Sequence, residues 1–232
     1  MRRGTPGVRP AVELLPRSIR RAERHDPARV VKVLERFTLE RRRERLREVI
    51  ARRLASVTVC FDAPHDPHNG AAVIRSCEAF GVQALHVIER RESFLAAGSV
   101  TRGAERWVDV HAHADTASAT RALALGGHEI VAAVADGDLL PEELARIPRV
   151  ALVLGNEHDG IGEELRAACT RTVRVPMRGF TESLNVSVTC AILLQHATAG
   201  RAGDLPEVDR LRLYARGLYL TVEHAEELLA RG

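Results

Sequence analysis

The stretch VALVLGNEHDGIGEELRAACTRTVRVPMRGFTESLNVSVTCAILLQ (residues 150–195) decides the fold. It contains two short apolar runs, residues 150–154 and 172–175, that have the length and composition of buried strands. Each run is followed by a loop rich in Gly, Asn, Glu or Ser and then by a helical pattern. Open α/β sheets bind their ligands where strands end and helices begin, so we expect the functional site in this segment.

The first of the two loops, residues 155–162 (GNEHDGIG), contains three glycines. Glycine tolerates unusual backbone angles and lets backbone amides approach a ligand closely. The loop is not a nucleotide P-loop, because no Gly-Lys-Ser/Thr follows, and it lacks the dinucleotide pattern G-x-G-x-x-G. Its glycine spacing alone is therefore weak evidence for a particular ligand.

The second loop, residues 176–187 (PMRGFTESLNVS), carries a denser polar cluster. Ser183 and Asn185 stand where a helix begins, before the apolar run 186–194, so one of them is expected to cap that helix. A single cap needs only one polar side chain, whereas Ser-Leu-Asn-Val-Ser supplies three. The surplus predicts a second role for this cluster.

Together the two loops resemble a known family. Residues 155–161 (GNEHDGI), residues 175–177 (VPM) and residues 183–187 (SLNVS) are similar to the second and third motifs of the SpoU/TrmH family of RNA 2'-O-ribose methyltransferases. The family's first motif has its counterpart upstream in residues 66–77 (DPHNGAAVIRSC). Three motifs in the family's order make a chance match improbable. The resemblance covers roughly residues 57–199 and leaves the first fifty-odd residues outside.

From residue 57 onward the chain alternates between strand and helix patterns. The strand candidates are residues 57–61, 85–88, 108–111, 130–135, 150–154 and 172–175, and the helix candidates are residues 69–80, 116–125, 163–168 and 184–199. This alternation predicts an α/β fold with a mostly parallel sheet flanked by helices. The resemblance implies in addition a deep trefoil knot at the C-terminal end of the domain, which no residue pattern indicates.

Composition bounds the remaining possibilities. The 232 residues are 45% hydrophobic and 28% charged, as in ordinary globular proteins. No apolar run approaches the about 18 residues of a membrane span, and the basic first ten residues are not followed by the apolar segment of a secretory signal. We therefore predict a cytoplasmic protein with no membrane partner.

Neither the cysteines nor the histidines predict a metal site. The four cysteines lie far apart and form no C-x-x-C pair; they are Cys60, Cys77, Cys169 and Cys190. Cys60, Cys77 and Cys190 belong to apolar strand or helix patterns and are expected to be reduced, buried thiols. His111 and His113 come nearest to a ligand pair, but no third ligand accompanies them.

The charge is distributed unevenly. Residues 1–56 carry 17 of the 34 Lys and Arg but only 7 of the 31 Asp and Glu, which indicates a polyanionic partner. Arginines on a helical pattern are candidates for RNA contact, because the planar guanidinium suits phosphates and stacks on bases; they are Arg41, Arg42, Arg43, Arg45, Arg52 and Arg53. The alternative is a solvated surface on which Glu40, Glu44 and Glu48 neutralise them. We predict a basic helical extension (residues 1–55), a methyltransferase domain (56–200) and a C-terminal helical tail (201–232).

The resemblance also implies the reaction and its residues. The family transfers a methyl group from S-adenosylmethionine to a ribose 2'-hydroxyl, and Arg75 matches its catalytic arginine. Arg75 lies in an otherwise apolar helix pattern, where an arginine is costly unless it is paired or exposed in a cleft. Since a guanidinium stays protonated in proteins, we expect it to hold the phosphate and the 2'-oxygen rather than to act as a base, although both roles stay open. The other implied catalytic residues are Asn69, Glu157, Ser183 and Asn185, and those implied for the cofactor are Ala133, Gly155, Val175, Met177 and Leu184.

The choice of RNA depends on finer features. The compact tRNA branch of the family shares a Gly-x-x-x-Trp-Val stretch, matched here by residues 103–108 with the only tryptophan, Trp107. This favours guanosine 18 in the tRNA D-loop, with 23S ribosomal RNA as the alternative; DNA is not expected as a partner. Asn156, His158 and Asp159 differ from many family members and place substrate preference in doubt. The resemblance to this family also implies that the protein is a homodimer.

Two other classes of protein fit less well. A nicotinamide-dependent enzyme would need a Gly-rich turn after the first strand, but Phe61 is followed by Asp62-Ala63-Pro64-His65. A non-catalytic RNA-binding relative would lack a motif residue, and none is missing.

Overall fold

A computed structural model describes residues 8–9, 17–89, 101, 103–156 and 158–231. Its strands are β1 (Val8–Arg9), β2 (Leu54–Asp62), β3 (Val82–Ile88), β4 (Asp109–His113), β5 (Glu129–Ala133), β6 (Val150–Leu154) and β7 (Arg171–Val173). They form one sheet in the order β1-β4-β3-β2-β6-β5-β7. Strands β2 to β7 are parallel to their neighbours, and β1 adds an antiparallel edge to β4.

The helices are α1 (Arg17–Ala22), α2 (Pro27–Leu34), α3 (Glu40–Ala51), α4 (Pro67–Ala79), α5 (Thr116–Leu125), α6 (Glu163–Ala167), α7 (Val186–Thr198), α8 (Glu207–Thr221) and α9 (Ala225–Arg231). Short 3₁₀ helices cover Glu35–Phe37, Ala104–Arg106 and Pro141–Arg146. The predicted α/β fold with a mostly parallel sheet between helices is confirmed. The predicted bounds of β6 and α5 agree with the structure to the residue. Those of the other strand and helix candidates of residues 57–199 agree within about three residues at each end.

Polar caps explain where the helices around the sheet begin. Asp66 accepts a hydrogen bond from the backbone N–H of His68 (2.8 Å) ahead of α4, and Pro67 occupies the first turn. Asn185 caps α7 in the same way through the N–H of Ser187 (2.8 Å). The cap predicted in the Ser-Leu-Asn cluster is therefore Asn185.

The strand order determines where ligands can bind. The chain proceeds from β2 outward to β3 and β4, and then fills the opposite side with β5, β6 and β7. The order therefore reverses between β2 and β6, which are paired in parallel with Phe61 opposite Leu154. The crevice beyond the carboxyl ends of two such strands is the usual ligand site of an open α/β sheet.

Three apolar clusters form the core of the described residues, and two of them determine how the site and the outer helices are held. One lies between the sheet and helices α4 and α7, and includes Phe61, Val73 and Leu193. The other joins the helices that precede β2 to those that follow α7, with Leu34 and Leu213 fully buried. The N-terminal and C-terminal helices thus form one helical layer; the predicted domain boundaries themselves stay a prediction.

A buried ionic cluster attaches this helical layer to the sheet. Asp109 on β4 accepts hydrogen bonds from Arg216 (3.0 Å), Arg212 (3.2 Å) and the amide of Gln83 (2.9 Å). Burial alone would raise the pKa of Asp109, but the charges of Arg212 and Arg216 outweigh it and hold that pKa below its usual value. Glu23, ahead of α2, completes the cluster by pairing with Arg216.

Arg53 requires a correction to the predicted RNA-contacting set. Only 2% of Arg53 is exposed, and its guanidinium donates to the carbonyl oxygens of Val82 (3.1 Å) and Trp107 (3.0 Å) and to the side chain of Gln83. These bonds fix the start of β2 against β3. An RNA phosphate could reach this guanidinium only by breaking them, so Arg53 is a structural residue.

Helices of the described residues lack the combination of length and apolar character that crossing a membrane requires. In the same part of the chain, no group of three or more His, Cys, Asp or Glu side chains is placed to hold a metal ion.

Three histidines on β3 and β4 stack on one another instead. The ring centroid of His86 lies 5.0 Å from that of His111 and 5.1 Å from that of His113, and His86 Nδ1 is 2.9 Å from His113 Nε2. Burial and the neighbouring imidazoles lower the pKa of His86 well below its ordinary value, and that of His113 to about 4. The cluster is therefore neutral at pH 7.

This cluster predicts a loss of stability on acidification. In the unfolded chain these histidines titrate with a pKa of about 6.5, so below that pH the unfolded state binds more protons than the folded state. The thermal midpoint should be highest above about pH 6.5 and fall between pH 7 and pH 5, before most carboxylates titrate. His86→Leu should flatten this dependence, whereas His224→Gln at an exposed position should not. Equal pH profiles for wild type and His86→Leu would contradict the prediction.

Candidate active site

A cavity of about 940 Å³ opens at the carboxyl ends of β5, β6 and β7. Its size and mixed apolar and backbone lining are typical of small-molecule sites. The five residues predicted for a cofactor all line it: Ala133, Gly155, Val175, Met177 and Leu184. The three loops to which they belong are distant in sequence, and the sheet brings them together.

One wall of the cavity is an arch of chain over β7. Val134 donates its N–H to the carbonyl oxygen of Val173 (3.0 Å) at one edge of the strand. At the other edge Leu139 donates to Thr172 O (2.9 Å) and accepts from the N–H of Arg174 (3.0 Å). Residues 134–139 therefore cross over the chain as it leaves β7 toward the second loop.

Glycines make two close backbone approaches in this wall possible. A Cβ atom on Gly137 would lie 2.6 Å from the backbone nitrogen of Arg174, and one on Gly155 would lie 2.5 Å from that of Ile161. Real Cβ atoms do not approach backbone so closely. Gly137 was not singled out from the sequence, although Ala-Asp-Gly-Asp after a strand candidate is a recognisable turn signal.

The loop after β6 is closed into a tight turn. Asn156 and Gly160 exchange two backbone hydrogen bonds (3.0 and 3.2 Å), and Gly160 has a φ of 69°. The side-chain oxygen of Asn156 accepts from the N–H groups of His158 (2.9 Å) and Asp159 (2.7 Å). The predicted catalytic residue Glu157 belongs to this turn but lies outside the described residues.

A hydrogen bond joins the first and third motifs. Asn185 Nδ2 donates to Asn69 Oδ1 (3.0 Å), while its own Oδ1 caps α7. Asn69 is buried at the start of α4, whereas Ser183 and Asn185 line the cavity. Three of the predicted catalytic residues therefore lie at one edge of the cavity. The two that are hydrogen-bonded to each other, Asn69 and Asn185, are 116 positions apart in the sequence.

Arg75 lies two turns further along α4. Its neighbours Val73, Ile74 and Cys77 face the core, whereas Arg75 is exposed to solvent. Within the described parts of the chain its guanidinium makes no hydrogen bond and no ion pair, and it does not line the cavity. An arginine in this state is available to an anionic ligand outside the cavity.

The remaining predicted RNA-contacting arginines divide into paired and unpaired groups. Arg45 pairs with Glu48 (3.1 Å), Arg52 with the same carboxylate (2.8 Å), and Arg43 with Glu40. Arg41 and Arg42 are exposed on α3 and have no acidic partner in the described residues. The self-neutralised surface considered above thus applies to part of the helix only.

Comparison with known proteins gives three consistent findings. The model of the SpoU rRNA Methylase family matches residues 56–195. A tRNA (guanosine(18)-2'-O)-methyltransferase of Escherichia coli K12 is 31% identical over 75% of this chain and 81% of its own length, and one of Thermus thermophilus is 33% identical over 73% and 90%. The crystal structure of the A. aeolicus TrmH/SpoU tRNA modifying enzyme superposes with a TM-score of 0.66, at 28% identity over 79% of this chain and 98% of that one. An AdoMet-bound rRNA methyltransferase from Sinorhizobium meliloti gives 0.57, at 26% identity over 66% and 59%.

The arch over β7 predicts an asymmetry between two glycines of the site. Gly137→Ala should destabilise the protein by about 1–3 kcal/mol, because the new methyl group would overlap the backbone between Val173 and Arg174. Gly179→Ala is the matched control, since nothing lies within 4 Å of its would-be Cβ. Thermal unfolding of both variants measures the difference, and equal midpoints would show that the arch is not tightly packed.

Proposed function

The chain belongs to the SpoU family of RNA methylases, and on that basis we propose that it methylates the 2'-hydroxyl of guanosine 18 in tRNA. It is an S-adenosylmethionine-dependent RNA methyltransferase. The hydrogen bond between Asn185 and Asn69 carries the assignment of the site, because it unites the first and third motifs beside the cavity.

The cavity fits S-adenosylmethionine in size and chemistry. Apolar side chains of Leu154, Val175 and Leu193 suit an adenine ring, and backbone groups of Gly155, which also lines the cavity, would recognise its edge. When bound there, the cofactor supplies an electrophilic methyl group on sulfur. Met177 and Leu184, on the lip of the cavity, would cover its other side.

The residues at the edge of the cavity would position the acceptor. An in-line displacement requires the 2'-oxygen to be aligned with the methyl group, and alignment alone contributes much of the rate. Arg75 is assigned to the neighbouring phosphate and to the charge that develops on the 2'-oxygen, because a guanidinium keeps its proton and donates in a fixed fork. The hydroxyl proton would then pass to phosphate or water. Asn69, Ser183 and Asn185, together with Glu157, are assigned to orienting Arg75 and the ribose.

The relatives that this chain matches over most of their own length favour tRNA over 23S ribosomal RNA. The two named tRNA methyltransferases match over 81% and 90% of their own lengths, whereas the rRNA methyltransferase from Sinorhizobium meliloti matches over 59% of its chain. Trp107 is the residue by which the sequence resembles the tRNA branch of the family. It packs against the helical layer, and its carbonyl oxygen accepts a hydrogen bond from Arg53, so its role here is structural.

The finer architecture of the domain belongs to the same proposal. The arch of residues 134–139 over β7 supports a knotted C-terminal segment, since the chain beyond Val173 leaves beneath a loop hydrogen-bonded to both edges of the strand. Exposed apolar residues in the loop before α7 and in its first turn support a homodimer; they are Met177, Phe180, Leu184 and Val188, and Phe180 is fully exposed. Sedimentation analysis of the purified chain tests the dimer. A cytoplasmic location follows from tRNA as substrate.

Arg75 provides the test of the mechanism. Arg75→Ala should reduce labelled methyl incorporation into unmodified tRNA at least about a hundredfold, because a preorganised donor to a developing charge is lost. Binding of S-adenosylmethionine, measured by calorimetry, should be unchanged because Arg75 lies outside the cavity. Arg121→Ala, an exposed arginine on α5, is the control. Undiminished turnover in Arg75→Ala would remove the proposed role.

Contact between the helical layer and RNA should be tested by neutralising arginines of α3 rather than by deleting the N-terminal residues. Removing residues 1–50 would take away Leu34, Leu46 and Ile50 and open the second core. Arg41→Gln combined with Arg42→Gln leaves that core intact. It should make the log–log salt dependence of tRNA affinity shallower by about 0.7 for each lost phosphate contact. The pair Arg121→Gln and Arg146→Gln, also exposed, is the control; equal slopes in both double variants would mean that α3 does not contact RNA.

A further inference from the structure

Two histidines meet between the loops that follow β2 and β6. The ring centroids of His65 and His158 lie 5.4 Å apart with an interplanar angle of 58°. Both residues are exposed. His65 directly precedes the first motif and lies four positions before Asn69, and His158 belongs to the second motif, so the ring pair joins these two motifs.

The backbone around both rings is held firmly. Ala63 adopts a φ of 45°, which is unfavourable for a residue other than glycine and indicates that its surroundings impose it. The two loops are tied together by Asp62, whose carboxylate accepts from the N–H of Gly162 (2.8 Å). His158 is in turn fixed by its N–H bond to the side chain of Asn156. The rings are therefore presented to solvent on a preorganised frame.

The chemistry of the pair fits a nucleobase better than an ion. Two histidines alone do not make a metal site, and the carboxylates of Asp66 and Asp159 beside them in sequence would disfavour a phosphate. Exposed aromatic rings are scarce in a chain that is 3% Phe, Trp and Tyr. RNA-modifying sites recognise unstacked bases by stacking them on aromatic or imidazole rings.

We propose that the His65–His158 ring pair is a stacking platform for the guanine base of the nucleotide that is methylated. The inference rests on the proposed function. In a nucleotide the base is attached to C1', the ring carbon next to the one that carries the 2'-hydroxyl. A ribose whose 2'-hydroxyl reaches the edge of the cavity therefore holds its base close to that edge. The rings stand on the two loops that frame this edge, so they act as positioning residues for the acceptor and not as groups that touch the methyl donor.

Kinetics of single variants separate stacking from a structural role. His158→Ala and His65→Ala should each raise the KM for a tRNA transcript about tenfold or more, since a base stacked on a ring loses that contact. The kcat, the thermal midpoint and the affinity for S-adenosylmethionine should change little. His158→Phe should restore most of the KM, because it keeps a flat ring and lacks a charge. His224→Gln is the control, at an exposed position on the helical layer.

The contact with the base itself is tested by a double-mutant cycle. A transcript with an abasic ribose at the target position should bind wild type about tenfold more weakly than the intact transcript, and should bind His158→Ala with no further loss. Additive losses would overturn the proposal. An altered log–log salt slope in His158→Ala, or a failure of His158→Phe to restore KM, would overturn it in favour of a phosphate contact by a protonated ring.

The outcome can be distinguished from failure of the proposed function. Wild type is first assayed for methyl transfer to the intact transcript. If it transfers no methyl group, the proposed function falls; if it does and both histidine variants keep the wild-type KM, only the stacking platform falls.

Discussion

The structure depends on one crossing of backbone over backbone. Residues 134–139 are hydrogen-bonded to both edges of β7, and Gly137 stands where any side chain would overlap the strand. The carbonyl oxygens of Thr172 and Val173 and the N–H of Arg174 are thereby paired without a further neighbouring strand. The crossing also directs the chain beyond Val173 along the ends of β5 and β6, and this course encloses the cavity. The wall made by this crossing cannot move away from β7 without breaking main-chain hydrogen bonds.

The strand order places the edge of the cavity at which Asn69 and Asn185 meet. Because β2 and β6 are neighbours and parallel, the loops after them emerge side by side, and the carboxylate of Asp62 accepts a hydrogen bond from the N–H of Gly162 at the end of the loop after β6. Helix α4 begins from the first of these loops, so its buried Asn69 faces the start of α7 and pairs with Asn185. Two side chains more than a hundred residues apart are therefore placed by the sheet rather than by loop flexibility.

Sequence patterns were sufficient for the parallel strands and for the cap of α7, for a physical reason. Buried parallel strands are short apolar runs, and a cap such as Asn185 is local, so both are visible in a window of a few residues. The site residues were implied by the family resemblance and stay a prediction. The role of Arg53 was not visible, because a charged residue in a basic stretch indicates a surface until the partners Val82 and Trp107 are known. The arch at Gly137 and the meeting of His65 with His158 were missed likewise, since each depends on residues far apart in the chain.

The distribution of arginine partners connects fold and function. Arg53 and Arg216 are buried, and their guanidinium groups are satisfied by carbonyl oxygens, Gln83, Asp109 and Glu23, as the cost of burying a charge requires. Arg75, Arg41 and Arg42 are exposed and have no acidic partner among the described residues. Acidic residues nearly equal basic ones in number here, 31 against 34, so a shortage of carboxylates does not explain these unpaired cations. On the proposed function, Arg75 on α4 and Arg41 and Arg42 on α3 would contact phosphates of the bound RNA, and a single polyanion that reaches both helices would neutralise all three.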